Sequence, residues 1–125
     1  MCDTDLTRSS FDHIKAAKKR IKPYANRTPI LTSRTLNERT GGEIFFKCEN
    51  FQRAGAFKFR GASNSVFSLS DEEAKKGVAT HSSGNHGQAL ALAAKMRGIP
   101  AYIVMPENSP SVKFNAVKEY GATVI

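Results

Sequence analysis

Apolar residues first recur at helical spacing at Phe11, Ile14, Ala17 and Ile21, with Ser10 placed to cap the run and Pro23 to stop it. That spacing predicts an amphipathic helix over residues 11–21. The segment "TPILTSRTLNERTGG" then reads as an extended stretch, a short helix beginning near Ser33 and a stop at Gly41 and Gly42. "EIFFKCEN" follows as a strand. After "NFQRAGA", residues 57–68 are predicted as a helix, and "SDEEAKKG" as another, opened by a capping box of Ser70 and Glu73 and ended by Gly77.

Beyond Gly77 the pattern becomes regular. It runs as strand "VATHS", a helix over residues 86–97, strand "AYIVMP", a helix over residues 110–120 and a last extended "ATVI". Ser109 and Pro110 suit a cap followed by a first helical position, and Gly98 and Gly121 suit the two helix ends. This βαβαβ alternation predicts an α/β fold with an open parallel sheet. A parallel sheet needs cover on both faces, and the third strand is followed by nothing that could supply it, so the chain is expected to be a piece of something larger. The best boundary is near Gly77.

With 125 residues and 40% hydrophobic content, the chain is long enough for one domain with its own core. No apolar run approaches the roughly 20 residues of a membrane span, and "MCDTDLTRSS" lacks the apolar stretch of a secretory signal. A cytoplasmic protein with no membrane partner is expected. Cys2 and Cys48 fit neither a disulfide framework nor a zinc site and are expected as reduced thiols. His13, His81 and His86 form no ligand cluster, so no metal site is expected within this chain. The formal charge of +8 comes from scattered residues. The one dense run, "AAKKRIK", has no interleaved aromatic residues and reads as a solvated helix face, which argues against nucleic acid and leaves small anions as the use of positive charge.

Two stretches carry chemistry. In "HSSGNHGQALALAAK", hydroxyls, an amide, an imidazole and glycines stand where a strand gives way to a helix. Unpaired N–H groups and the helix dipole favour an anion there, and the carboxyl end of parallel strands is the usual ligand side of an open α/β sheet. Gly84 and Gly87 permit a tight turn and close approach by a ligand. The plainer alternative is that Ser82 or Ser83 only caps the helix. The loop is neither a dinucleotide fingerprint nor a P-loop, and phosphate and carboxylate remain equally open. In "RAGAFKFRGAS", Lys58 lies between Phe57 and Phe59. Apolar surroundings would lower its pKa and free the amine to attack a carbonyl; alternatively, it is a surface lysine whose stem covers aromatic neighbours.

Through "FFKCENFQ", "GAFKFRGA", "THSSGNHGQAL" and "GIPAYIVMP", the chain resembles the serine/threonine dehydratase family of fold-type II pyridoxal-phosphate enzymes, over nearly all its length from the first helix onward. The resemblance implies the N-terminal part of a tryptophan synthase β-like fold. Residues 1–77 would be the N-terminal part of a large domain and residues 78–125 the first part of a small α/β domain. It also implies that Lys58 carries pyridoxal 5'-phosphate and moves the substrate α-proton, that Phe57 packs beside the cofactor, and that Asn85 bonds its ring hydroxyl. Ser82, Ser83, Asn85 and His86 would hold the substrate carboxylate. Many dehydratases of the family carry alanine where Ser83 stands, so this serine implies a proton donor on the second face. Racemisation of serine is then expected, with elimination to pyruvate and ammonia as a side activity. The alternatives are a pure L-serine or L-threonine dehydratase and, for these residues alone, a non-catalytic binding fragment. A homodimer is implied, as is activation by ATP and Mg2+. Matching nucleotide positions are Ser33, Arg34, Thr35, Arg53, Ala54 and Gln88, although Ala54 lacks the hydroxyl and Arg53 replaces the lysine often seen there.

Overall fold

Helix α1 (Phe11–Ile21) forms where the periodicity places it, in a computed structural model that describes residues 10–125. The Ser10 hydroxyl accepts from the His13 backbone N–H, and His13 Nδ1 accepts from the Ser10 N–H, so a histidine completes the capping box usually closed by glutamate. Phe11 and Ile14 remain exposed, and only Ile21 of the apolar stripe is buried. Strand β1 (Ile30–Thr32) pairs antiparallel with β2 (Phe45–Lys47), and α2 (Arg34–Thr40) spans between them from its Ser33 cap to Gly41. Two 3-10 turns, Glu49–Phe51 and Arg53–Gly55, lead into α3 (Lys58–Ser68) and then α4 (Asp71–Lys75), which opens on the expected Ser70 and Glu73 box.

The βαβαβ run is present as read. Strands β3 (Val78–His81), β4 (Ala101–Val104) and β5 (Thr123–Val124) lie parallel in that order, with Val78 opposite Ala101 and Tyr102 opposite Thr123. They are joined by α5 (Asn85–Arg97) and α6 (Ser111–Glu119). Pro110, not Ser109, flanks the start of α6: the Ser109 hydroxyl is turned to the Pro106 carbonyl, to which it donates, and no side chain caps the helix. Gly77 is required on two counts: its φ is +79°, and a Cβ there would lie 2.6 Å from the Pro100 carbonyl oxygen, which accepts the Val78 N–H.

Helix α5 sits at the centre. Ala89, Ala91, Ala93 and Ala94 are buried on its different sides, so α3, α6 and the sheet can all approach it closely. Phe59 and Val66 of α3, Ile103 of β4 and Val117 of α6 fill the space between. On β4 burial alternates, with Ala101 and Ile103 inside and Tyr102 and Val104 exposed on the sheet's other face. Arg97, at the end of α5, donates to the Val66 and Leu69 carbonyls at the end of α3, and α5 also packs on the 3-10 turn that precedes α3. The two helices therefore run side by side in the same direction. Both begin at the end of the layer where β3 terminates.

Ser63 of α3 is fully buried, and its hydroxyl has no hydrogen-bond partner among the described residues. A buried donor without a partner is destabilising, whereas a methyl group in its place is not. Ser63→Ala is expected to stabilise the fold by about 1 kcal/mol, read as a higher midpoint of urea unfolding.

Candidate active site

The loop between β3 and α5 is built by Ser82. Its N–H donates to the Val104 carbonyl, 3.0 Å away, and its hydroxyl oxygen accepts from the N–H groups of Gly84 at 3.3 Å and Gly87 at 3.1 Å. The helix N-cap is Gly84, which has no side-chain cap; Ser82 instead braces the loop from two residues upstream by accepting from the Gly87 N–H, and retains only its O–H for a ligand. Gly87 has a packing role as well. A Cβ there would come within 3.1 Å of Ile103 Cγ2 and of the Ser82 carbonyl oxygen, so close approach by β4 and by the loop itself already requires the glycine. Gly84, by contrast, has nothing within 4 Å of that position.

The remaining groups of the loop face outward. Ser83 and Asn85 are exposed and His86 is half-buried. The N–H groups of Ser83, Asn85 and His86 and the Ser83 hydroxyl have no partner among the described residues. What results is a donor-rich helix start.

Lys58 is the first residue of α3 and is exposed. Its Nζ lies 5.3 Å from the centre of the Phe57 ring and has no hydrogen bond or ion pair among the described residues. Of the two arrangements the sequence left open, Lys58 is in the second, at the surface beside the Phe57 ring, and not in apolar surroundings. Successive helical residues point about 100° apart, so Phe59 enters the core at 0% exposure while Phe57 stays 61% exposed. The four-carbon stem of Lys58 therefore leaves its amine open to solvent and uncommitted.

The turn before Lys58 is held by residues that sequence reasoning missed. Glu49 receives two hydrogen bonds from Arg60, Nε to Oε2 and Nη2 to Oε1, each 2.7 Å, and a third from the Thr28 hydroxyl. Gln52, buried, accepts from the Asn26 and Arg53 N–H groups and donates to the Asn26 carbonyl. These bonds fix both flanks of a turn in which Ala54 adopts φ +56°, a left-handed conformation that costs a non-glycine residue about 1–2 kcal/mol. Glu49 and Arg60 are eleven positions apart and in different elements, so the period of no single helix or strand could have paired them.

The Arg60 hydrogen bonds, aided by Thr28, hold the Glu49 carboxyl well below its ordinary 4.5, at about 2. Because the folded-state value is depressed, the stabilisation is complete above about pH 4.5 and is lost as pH falls towards 2. Arg60 is about a third open to water, so screening trims the effect. Glu49→Gln is expected to cost about 1–2 kcal/mol at neutral pH. The difference from the parent, measured by urea unfolding across the pH range, should shrink on acidification through that window.

The suggested nucleotide positions are only partly brought together. Arg53 and Ala54 lie in the 3-10 turn against which α5 packs, and Gln88 is in the first turns of α5. Arg53 Nε is committed to the Tyr24 carbonyl, and buried Gln88 accepts from Lys113. Ser33, Arg34 and Thr35 stand at the start of α2, which packs extensively on no other element among the described residues. Among those residues, no three His, Cys, Asp or Glu side chains gather as a metal site would need, and no helix is long and apolar enough to cross a membrane. Cys48 is buried with a free thiol; Cys2 lies outside the described residues.

An uncommitted primary amine and a loop rich in N–H donors, with an exposed carboxamide, begin at the same end of the fold. That donor set suits pyridoxal phosphate, whose aldehyde condenses with an amine and whose ring oxygen accepts hydrogen bonds, together with a substrate carboxylate.

The family described as pyridoxal-phosphate dependent enzyme matches residues 21–125. A serine racemase of Oryza sativa subsp. indica is 60% identical over 112 residues, which make up 90% of this chain and 33% of that protein. A beta-hydroxyaspartate dehydratase of Paracoccus denitrificans (strain Pd 1222) is 56% identical over 115 residues, 92% of this chain and 36% of the relative. Among solved structures, maize serine racemase superimposes with a TM-score of 0.91 at 56% identity, covering 94% of this chain and 36% of that one. The chain thus spans about a third of the length of the relatives it matches.

Proposed function

The chain belongs to the pyridoxal-phosphate-dependent enzyme family, and from that premise we propose that it forms part of an enzyme that interconverts L-serine and D-serine and, as a side reaction, dehydrates serine to pyruvate and ammonia. One observation carries the reading. The Ser83 hydroxyl and the Lys58 amine, two groups able to exchange a proton with a substrate, are both uncommitted at the same end of the fold. Relatives named as a racemase and as a dehydratase support the pairing of the two activities.

Pyridoxal phosphate, when bound, supplies an electron sink that makes the substrate α-proton removable. Lys58 holds it covalently and moves that proton on one face, while Phe57 packs beside it. Asn85 donates to the ring oxygen. The substrate carboxylate is received by the N–H groups of Ser83, Asn85 and His86 and by the O–H that Ser82 retains. Ser83 Oγ exchanges the proton on the opposite face, and racemisation needs both. The proposal places residues 1–77 in a large domain and residues 78–125 in a small one, within a cytoplasmic homodimer. ATP and Mg2+ enter as activators, the nucleotide by way of Ser33, Arg34, Thr35, Arg53, Ala54 and Gln88.

The test is the full enzyme with pyridoxal phosphate and L-serine, followed by chiral chromatography for D-serine and by a coupled assay for pyruvate. Both products are expected. Pyruvate without D-serine would make it a dehydratase, and turnover of 3-hydroxyaspartate alone would favour the activity named for the Paracoccus relative.

A further inference from the structure

Lys113 occupies an electrostatically unfavourable place. It is the third residue of α6, and its Nζ reaches across to the first turn of α5, donating to Asn85 Oδ1 at 2.7 Å and to Gln88 Oε1 at 3.0 Å. A cation is disfavoured at the positive end of a helix, and this one stands at two such ends. No carboxylate compensates it among the described residues, since both acceptors are neutral amides. Asn85 and Gln88 are one turn apart on the face of α5 that meets α6, so a single ammonium can bridge them.

The bridge has a definite consequence for Asn85. An ammonium has only donors, so the amide oxygen must face Lys113 and the NH2 group must face away from it. Asn85 is exposed, and its NH2 has no acceptor among the described residues. Hydrogen bonding at the oxygen also polarises the amide and strengthens the N–H as a donor.

We propose that Lys113 is a positioning residue for the cofactor: by bridging Asn85 and Gln88 it locks the Asn85 carboxamide with its NH2 group presented to the cofactor's anionic ring oxygen. The inference rests on the assignment of Asn85 to that oxygen. With the cofactor bound, the same ammonium, one amide removed, would favour an anionic oxygen at Asn85. An anionic oxygen there offsets the two helix ends that Lys113 otherwise opposes.

The experiment is a double-mutant cycle in the full enzyme, read by the dissociation constant of pyridoxal phosphate and by the pH titration of its visible absorption. Lys113→Met should weaken retention about tenfold, within the coupling found for residues of one hydrogen-bond network, and should shift the titration of the band. Lys113→Arg, which can still donate to both amides, should recover most of the loss. In an Asn85→Ala background, Lys113→Met should have little further effect. An equal loss in that background, or no loss in either, would overturn the proposal while leaving a wild-type band, and hence the cofactor reading, in place. Absence of a band in the wild type would overturn both. Thermal unfolding of the cofactor-free variants separates misfolding from misplacement, and a loss explained wholly by unfolding would also overturn it.

Discussion

Lys58→Ala in the full enzyme abolishes racemisation and elimination together and removes the visible absorption of the lysine-linked cofactor. The expected loss is at least about ten-thousandfold, since the residue is both the covalent anchor and one of the two proton-transfer groups. The size of the effect follows from what surrounds the loop. Lys113, an amine that reaches the start of α5, has its protons held by Asn85 and Gln88, so it is poorly placed to substitute. Cofactor retained without covalent attachment is compatible with the account. Near-normal turnover by the variant would return Lys58 to the role of an exposed surface lysine beside Phe57.

Ser83→Ala should separate the activities. Racemisation is expected to fall at least about a hundredfold, the lower end of what a positioned acid or base contributes. Elimination from L-serine needs only Lys58, the cofactor and the donors at the start of α5, and should survive. Elimination from D-serine should fall with racemisation, because that enantiomer turns its α-proton toward the missing hydroxyl. Ser82, not Ser83, accepts the loop's N–H bonds from Gly84 and Gly87, so the substitution leaves the loop's own hydrogen bonds intact. Rates for both enantiomers, measured separately, check this. Equal loss of all three reactions would make Ser83 a general binding residue, and unchanged racemisation would remove it from the mechanism.

Much of this architecture was legible because its signals are local. Capping residues, glycine stops and the alternation after Gly77 each act within a few positions, and the parallel order of β3, β4 and β5 follows from intervening helices that only a crossover can accommodate. Less legible were features decided between elements. Gly87 reads as a ligand-facing glycine until Ile103 of the neighbouring strand is seen beneath it. Phe57 and Phe59 read as a matched pair, yet only Phe59 meets the buried residues of α5. The Glu49 clamp joins three segments whose spacing matches no period. Lys113 was the most accessible of the missed residues. In a βαβαβ run, the start of each helix lies beside the start of the next, so a lysine in the first turn of α6 is a natural neighbour of the loop before α5.

The claim on which everything else depends is that Lys58 is the amine that holds the cofactor. Borohydride reduction of the full enzyme with pyridoxal phosphate, followed by proteolysis and mass spectrometry, tests it directly. The account predicts one stable phosphopyridoxyl adduct, on the peptide containing Phe57, Lys58 and Phe59. A specific adduct on Lys113 or any other lysine, or none at all, would contradict it.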